Sequence, residues 1–288
     1  MVLFDSLSLP RNEVIMKDLV IGVVGGGVVG RATARTYVEH VKEVRVYDHV
    51  SERRTHNIFE TLESDIVFVC LPTPKKEVGL GLDLSAITNF FAARFRSQHV
   101  NFVLRSTVPI GTTRRLSREY DLPNLTHSPE FLTARCALTD AQIPSRNIVG
   151  YTPGDQNSMA ARDRLMDLYM ARFPSIPIYC MSSDESEAVK LFQNSFFATK
   201  VAFWNECRSL ADKLGLDWER VMGGVLSDGR ISPSHTQVPG PDSRRGFGGS
   251  CLPKDLNCLV NQLLENDLPA LVTSAVGLRN TTVDRRES

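Results

Sequence analysis

A glycine-rich segment directly after a buried apolar run constrains the fold of this chain more than any other feature. Residues 19–24 are short and rich in β-branched side chains, which is typical of a buried strand. They lead into a G-x-G-x-x-G pattern formed by Gly25, Gly27 and Gly30, and a helical pattern follows. The next strand, at 44–48, ends on Asp48. This order of strand, glycine loop, helix and strand with a terminal acid predicts a dinucleotide-binding domain.

The same residues indicate which dinucleotide is bound. Glycines permit a tight turn and bring a pyrophosphate close to the helix N-terminus, where Val28 and Val29 present backbone N–H groups that favour anions. Asp48 is expected to accept hydrogen bonds from the adenosine ribose and to repel a 2′-phosphate, so NAD is favoured. Arg45 and Arg53 lie nearby and leave NADP open. A glycine-rich turn with no ligand is the other interpretation.

The remaining periodicity predicts two domains after an N-terminal extension at residues 1–19. Further strands are expected near 65–71, 102–105, 147–150 and 176–179, with helices between several of them, so residues 20–181 are predicted to form a Rossmann-type α/β domain with a mainly parallel sheet. Ser182 and Glu185 fit a capping box at the start of one long helix that reaches about residue 214. Shorter helices near 217–223, 253–264 and 269–280 surround a Gly-, Pro- and Ser-rich loop at 227–250, which predicts a small all-helical domain over 182–288.

Composition excludes several classes of protein. The 288 residues include 33 Lys plus Arg and 33 Asp plus Glu, and this zero net charge argues against a dedicated nucleic-acid binder. No apolar run approaches the ~20 residues that span a bilayer, so no membrane association is expected. The N-terminus lacks the apolar region of a signal peptide, and the six cysteines contain no CxxC pair. We therefore expect a reduced, cytoplasmic protein without a metal site.

The segment GFGGSCLPKD at 246–255 contains the most reactive candidate side chain. Glycines free the backbone just before Cys251, and Pro253 and Asp255 suit the first turn of a helix. A cysteine at a helix N-terminus beside Lys254 is expected to have a larger thiolate fraction. A thiolate beside a nicotinamide can add to an aldehyde and give a thioester after hydride loss. Burial as a packing residue is the alternative for Cys251 and the interpretation adopted for Cys70, Cys180, Cys207 and Cys258.

Two polar residues of the long helix, Lys190 and Asn194, are four positions apart and share a face. A lysine and an amide that face one cavity stabilise a developing alkoxide or oxyanion. Exposed Lys and Asn are common, so the spacing alone leaves an ordinary solvated role open.

Seven segments follow one another in a fixed order along the chain. They are GGGVVG at 25–30, CLPTP at 70–74, STVPIGT at 106–112, SPEFL at 128–132, EAVKLFQNSFFATKVAFWNE at 187–206, SDGRI at 227–231 and GFGGSCLPKD at 246–255. This ordered set resembles the UDP-glucose/GDP-mannose dehydrogenase family, and within it the UDP-glucose 6-dehydrogenases most closely. The resemblance spans about residues 20 to 280, and its last segment is the most specific.

The resemblance implies a role for each matching residue. Cys251 matches the catalytic nucleophile, while Lys190 and Asn194 match the residues that stabilise oxyanions. Asp255 matches an aspartate that positions or activates water, and Glu130 and Thr107 match residues of the water and acid–base steps. The matches that line the NAD site are Pro72, Thr73, Ser106, Thr107 and Lys254. Those that contact substrate are Glu130, Phe131, Leu132, Lys190, Asn194, Arg230, Phe247 and Gly248.

The resemblance further implies a reaction and an assembly. Members oxidise C6 of a nucleotide sugar twice and reduce two NAD+, so we expect UDP-glucose to become UDP-glucuronate through a thiohemiacetal and a thioester on Cys251. GDP-mannose, UDP-N-acetylhexosamines and UDP-galactose stay open as substrates. The long helix is expected to form the core of a homodimer in which Arg230 reaches the substrate of the partner subunit.

Two departures from the family pattern affect substrate binding. Ala134 replaces the second acid of the segment that contains Glu130. The chain ends at Ser288, before the second α/β domain that holds much of the nucleotide in full-length members, so this third domain is expected to be absent. Within the loop at 232–245, His235, Arg244 and Arg245 are candidates for contacting a diphosphate, and a solvated loop is the alternative.

Two other functions remain open at this point. One is a shortened relative that binds NAD and dimerises without turnover. The other is a hydroxyacid dehydrogenase that transfers one hydride, although such chemistry needs no thiol and GFGGSCLPKD argues against it.

Overall fold

The computed structural model describes residues 16–93, 100–133 and 135–286. Most of the predicted N-terminal extension, and Ala134, therefore lie outside the described residues. The described residues form two units: one contains the chain up to Thr73 together with Asp83–Lys190, and the other contains Pro74–Leu82 together with the chain from Leu191. The sequence places a domain boundary at 181/182 and gives no sign that Pro74–Leu82 belongs with the helical unit.

A seven-stranded sheet forms the centre of the first unit. Its strands are β1 (Val20–Val24), β2 (Glu43–Tyr47), β3 (Ile66–Val69), β4 (Asn101–Leu104), β5 (Leu125–His127), β6 (Asn147–Tyr151) and β7 (Ile178–Ser182). They lie in the order β2-β1-β3-β4-β5-β6-β7, and every neighbouring pair is parallel except β5 with β6. The predicted Rossmann-type, mainly parallel sheet is confirmed, and β5 is a strand that the sequence pattern did not indicate.

Helices cover this sheet and complete its two apolar cores. They are α1 (Val28–Tyr37), α2 (Ile58–Leu62), α3 (Ser85–Ala92), α4 (Thr112–Glu119), α5 (Ala137–Gln142) and α6 (Gln156–Arg172), with a 3-10 turn at Ser51–Arg53. Within β3, Ile66 and Phe68 pack in one core and Val67 and Val69 in the other. Because both faces of the strand are buried, its sequence is continuously apolar rather than alternating.

The second unit is helical. Helix α7 (Ser183–Leu214) begins in the first unit and continues into the second, and α8 (Trp218–Leu226), α9 (Leu252–Glu265), α10 (Leu271–Arg279) and a π-helical turn (Asn280–Asp284) follow. The predicted capping box precedes α7, because Ser182 N–H donates to Glu185 Oε2 at 2.7 Å and Glu185 N–H donates to Ser182 Oγ at 3.2 Å. The predicted long loop is present, since residues 227–251 contain no helix or strand.

The strand order determines where a ligand of the first unit binds. β2 lies on one side of β1 and β3 on the other, so the order reverses between β1 and β3. Ligands of open α/β sheets bind at such a reversal, outside the carboxyl ends of the strands. The glycine loop follows β1, and the segments CLPTP and STVP follow β3 and β4. In the ranges that the structure describes, no helix is long and apolar enough to cross a membrane, and no group of three or more His, Cys, Asp or Glu side chains is placed to hold a metal ion.

Candidate active site

The three glycines of the loop after β1 differ in what each permits. Gly25 has a φ of +99°, and a Cβ there would lie 2.5 Å from the Cys70 carbonyl oxygen. A Cβ on Gly30 would overlap the Gly25 carbonyl oxygen, so helix and loop approach closely only because this residue is glycine. Gly27 is the N-cap of α1, and a Cβ there would meet nothing within 4 Å. The first turn of α1 contains no acidic residue, so its backbone N–H groups are not neutralised. Open space beside Gly27 and free positive charge at the helix N-terminus together fit a pyrophosphate.

Asp48 directly follows β2, and its side chain binds the glycine loop. Its side chain is buried, Oδ2 accepts a hydrogen bond from Gly26 N–H at 2.6 Å, and Oδ1 accepts one from Val50 N–H at 2.8 Å. A buried carboxylate beside the glycine loop is the arrangement that favours NAD over a 2′-phosphorylated cofactor. Arg45, which left NADP open in the sequence, instead forms an ion pair with Glu43 at 2.8 Å.

The loops after β3 and β4 are tied together by side chains. Thr73 Oγ1 donates to the Thr107 carbonyl oxygen at 2.7 Å, and Ser106 Oγ donates to the Leu71 carbonyl oxygen at 2.6 Å. Thr73, Ser106 and Thr107 are buried, whereas Pro72 is exposed. The structure thus brings these predicted cofactor-lining segments side by side at the edge of the sheet.

Glu187, on the second turn of α7, anchors the end of the same loop. Its buried carboxylate accepts hydrogen bonds from Gly111 N–H at 2.5 Å, from Thr113 N–H at 2.7 Å and from Thr113 Oγ1 at 2.6 Å. Burial raises the pKa of Glu187 to about 7, although these donors act to lower it. The carboxylate caps α4, whose N-cap Gly111 has a φ of +90° and no side chain to do so.

A buried ion pair joins α7 to the segment after β5. Lys190 Nζ donates to Glu130 Oε1 at 3.0 Å and to the Glu130 carbonyl oxygen at 2.6 Å, and the two side chains are buried. Burial acts to raise the pKa of Glu130, but the attraction of Lys190 and the Leu132 N–H bond at 2.6 Å outweigh it and leave that pKa lowered. Lys190 Nζ also lies 5.4 Å from the centre of the Phe131 ring. Four residues predicted to contact substrate are therefore brought together.

The second unit gathers the other candidates around Asp255 in the first turn of α9. The Asp255 side chain is completely buried; Oδ2 accepts a hydrogen bond from Asn194 Nδ2 at 2.5 Å, and Oδ1 pairs with Lys254 Nζ at 2.6 Å. Cys251 is the N-cap residue of α9 and is exposed, so it is not a packing residue. Cys258 is buried, whereas Cys180 is exposed, and the packing role predicted for Cys180 was wrong.

Phe247 occupies a different position from the one its predicted role suggests. Its side chain is buried against Ala198, Ala202 and Leu256. Only its backbone remains to contact a substrate, and Asn280 binds both polar groups of that backbone. The neighbouring Gly248 is partly exposed.

The basic residues of the long loop are placed separately from these clusters. Arg230 and Arg244 are exposed, and Arg230 pairs with its neighbour Asp228 at 2.5 Å. Arg245 instead binds α7, through Asp212 at 2.5 Å and Ser209 at 2.9 Å. The ring of His235 stacks on Phe197 with their centres 4.0 Å apart. Arg245 and His235 thus have partners within the unit, which favours a structural role over phosphate contact.

Sequence reasoning missed three residues that hold the site. Glu187 caps α4, Asn280 binds the backbone of Phe247, and Asn257 Oδ1 accepts a hydrogen bond from Gly81 N–H at 2.7 Å. Glu187 and Asn280 are buried and Asn257 is half-buried. Nothing in the spacing of residues within their own segments identifies the distant group that each one binds.

Two domain models of one family match the chain. The NAD binding domain of the UDP-glucose/GDP-mannose dehydrogenase family matches residues 50–171, and its central domain matches residues 184–282. The two matches correspond to the sheet-containing part and the helical part of the chain. NAD, predicted from the glycine loop and Asp48, is therefore confirmed as the cofactor.

Individual relatives agree with this result. The chain is 33% identical to UDP-glucose 6-dehydrogenase of Campylobacter jejuni over 216 residues, which cover 74% of this chain and 51% of that protein. It is 29% identical to UDP-glucose 6-dehydrogenase of Pseudomonas aeruginosa over 303 aligned residues, covering 90% and 64%. A UDP-glucose dehydrogenase structure from Pyrobaculum islandicum matches with a TM-score of 0.74 and 26% identity, covering 93% of this chain and 68% of that one.

The lengths of these proteins differ from that of the chain. It spans about half the length of several curated relatives that it matches. The family matches contain the Lys190–Glu130 pair and the Cys251 segment, whereas the glycine loop lies before residue 50, where the first match begins. On the two domain matches, the relatives and the shared fold, this chain belongs to the UDP-glucose/GDP-mannose dehydrogenase family.

Proposed function

We propose that this chain is an NAD-dependent nucleotide-sugar 6-dehydrogenase that oxidises UDP-glucose to UDP-glucuronate. The observation that carries the proposal is the position of Cys251, an exposed thiol at the start of α9, one turn before a buried Asp255 that holds Asn194 and Lys254. A one-hydride dehydrogenase has no use for such a thiol.

Hydrogen-bond capacity supports the roles of Lys190 and Asn194 in the first oxidation. A lysine ammonium has three donors, and Glu130 takes two of them. The Asn194 amide has two donors, and Asp255 takes one. Each side chain keeps one donor for the C6 oxygen, so both stabilise the alkoxide that forms when the hydroxyl proton passes to solvent water. Loss of a hydride from C6 then gives the aldehyde. Bound NAD+ would accept the hydride from C6 in each of the two oxidations.

Cys251 divides the second oxidation into two steps. Its sulfur bonds to the aldehyde carbon, and the carbonyl oxygen takes up the thiol proton, which gives a thiohemiacetal. The thiohemiacetal then loses its hydroxyl proton to water and a hydride from C6, and becomes a thioester. Water then attacks the thioester, the C–S bond breaks, and the carboxylate and the free thiol are released. Glu130 can accept a proton from that water because it is ionised at neutral pH, and its lowered pKa makes it a weak base for this step. The resemblance to the family also implies that Thr107 and Asp255 act in the water step.

We also propose a homodimer built on α7. Five large apolar side chains of this helix are each more than half exposed, which exceeds the scattered exposure of an ordinary surface helix. They follow spacings of four and seven residues and so form one stripe, which fits a second copy of the same helix. The stripe consists of Phe192, Phe196, Phe203, Leu210 and Leu214. Replacing Phe203 by Asp is expected to produce a monomer in analytical ultracentrifugation.

The decisive experiment measures NADH formed per sugar by absorbance. UDP-glucose, GDP-mannose, a UDP-N-acetylhexosamine and UDP-galactose are each supplied in limiting amount to the wild type and to Cys251→Ser. Cys136→Ser is the matched control because Cys136 is also exposed. The proposal predicts two NADH per UDP-glucose in the wild type and in Cys136→Ser. It predicts that Cys251→Ser does not form the second NADH, because the second oxidation requires the thiol.

Other results contradict it. One NADH per sugar would show that the thiol-dependent second oxidation does not occur. Absence of NADH with every sugar, in a preparation that binds NAD+, would show that the chain alone is not the enzyme.

A further inference from the structure

A buried asparagine with none of the roles proposed above holds the loop that leads to Cys251. Asn280 follows α10 and is 6% exposed. Its Oδ1 accepts a hydrogen bond from Phe247 N–H at 2.8 Å, and its Nδ2 donates to the Phe247 carbonyl oxygen at 2.9 Å. One carboxamide therefore satisfies both backbone groups of one residue, which requires a donor and an acceptor on the same short side chain.

The loop that leads to Cys251 consists largely of glycine. Gly246, Gly248 and Gly249 contribute no side chains, and glycine backbone has the greatest conformational freedom. A Cβ on Gly246 would overlap Asn280 Oδ1, and a Cβ on Gly248 would lie 2.5 Å from the Arg285 guanidinium. The absence of side chains thus lets residues 280–285 pack directly against the loop backbone.

Two further contacts fix the start of the loop. Asn205 Oδ1 accepts a hydrogen bond from Gly246 N–H at 3.1 Å, and the Phe247 ring is held in the apolar core of the unit. Phe247 is therefore held by its ring on one side and by Asn280 on the other. From this fixed residue the chain reaches Cys251 through Gly248, Gly249 and Ser250 alone.

We propose that Asn280 is a positioning residue for Cys251: by binding both backbone groups of Phe247, it fixes the glycine loop that presents the thiol at the start of α9. The functional consequence rests on the proposed dehydrogenase activity. Asn280 acts through the loop and touches neither the thiol nor the reacting atoms in this proposal.

The test compares three variants of the full chain. Asn280→Ala removes both hydrogen bonds, and Asn280→Asp keeps the acceptor but turns the donor into a second acceptor that faces the Phe247 carbonyl oxygen. Asn266→Ala is the matched control, because Asn266 also donates to a backbone carbonyl, that of Gln262 at 2.8 Å, but is exposed at the end of α9. For each variant, mass spectrometry follows the alkylation rate of Cys251 by iodoacetamide, with exposed Cys136 as the internal reference.

We expect the Cys251 alkylation rate, relative to Cys136, to change by at least about threefold in both Asn280 variants and to stay unchanged in Asn266→Ala. In the NADH assay, kcat should fall roughly tenfold or more while the KM for NAD+ stays constant. If Asn280→Ala does not fold, Asn280→Asp still tests the proposal, because aspartate has the size of asparagine and keeps the hydrogen bond from Phe247 N–H. Alkylation rates that equal the wild type in a folded Asn280 variant overturn the proposal. A wild type that oxidises no nucleotide sugar refutes the proposed function alone, because the alkylation comparison still decides the role of Asn280.

Discussion

The buried Lys190–Glu130 pair gives the most quantitative prediction about stability. Lys190 is 4% exposed, Glu130 is 9% exposed, and their charged atoms are 3.0 Å apart. Lys190→Met keeps a similar volume but leaves the Glu130 carboxylate buried without its partner. Removing one member of a buried pair costs about 3 to 5 kcal/mol of the free energy of unfolding. Glu130→Gln/Lys190→Met, which removes both charges, should recover most of that loss.

The same variants should differ in the pH dependence of stability. In the wild type the pKa of Glu130 is lowered, so its contribution is present above the unfolded value near 4.5 and is lost as pH falls through the folded pKa. In Lys190→Met, burial without a partner raises that pKa above the unfolded value. The native state then binds the proton more tightly, so this variant should gain stability as pH falls from 7 toward 5.

Urea unfolding followed by circular dichroism measures these effects at pH 5 and pH 7 for the wild type, both single variants and the double variant. The double-mutant cycle isolates the coupling between the two side chains. Single losses that simply add in the double variant, or a loss below about 1 kcal/mol in Lys190→Met, would show that the pair is not the buried interaction described here.

Three further predictions concern the loops around the sheet edge. Burial raises the pKa of Glu187 to about 7, so the folded protein binds this proton more tightly than the unfolded chain does. The free energy of unfolding of the wild type should therefore fall by roughly 2 to 3 kcal/mol between pH 5 and pH 8, relative to Glu187→Gln. Urea unfolding at both pH values measures this difference. Gly30→Ala should lower the melting temperature and abolish NAD+ binding, because the added methyl group overlaps the Gly25 carbonyl oxygen. Gly27→Ala should leave the melting temperature unchanged, because a methyl group there meets no protein atom, and should weaken NAD+ binding measured by calorimetry. Asp48→Asn should raise the NADP+ to NAD+ ratio of kcat/KM by about tenfold, and an unchanged ratio would contradict the role of that carboxylate.

The fold was predictable because its signals are local. Apolar β-branched runs mark β1 and β3, the glycine spacing marks the turn into α1, and the Ser182–Glu185 box marks the start of α7. Each signal depends on residues within a few positions of one another. β5 escaped prediction because it has only three residues, Leu125–His127, two of which are polar and nonetheless buried.

The contacts between distant segments were not predictable from the same signals. Glu187 and Thr113 are 74 residues apart, and Asn280 and Phe247 are 33 apart. A carboxylate that caps another helix leaves no periodicity in its own helix, so its partner emerges only from the tertiary fold. The grouping of Pro74–Leu82 with the helical unit was not predictable for the same reason, since the hydrogen bond from Gly81 to Asn257 joins residues 176 positions apart.

The Glu130 cluster and the Asp255 cluster have the same arrangement. In each, a buried carboxylate holds a cationic or amide donor: Glu130 holds Lys190, and Asp255 holds Lys254 and Asn194. Such pairs add little stability compared with apolar residues of the same volume, because both charges must leave water. Donors fixed in advance, however, stabilise a developing oxyanion without reorganising at the moment of reaction. Stability alone would favour apolar side chains at these positions, so the clusters support the oxyanion-stabilising role proposed for their remaining donors.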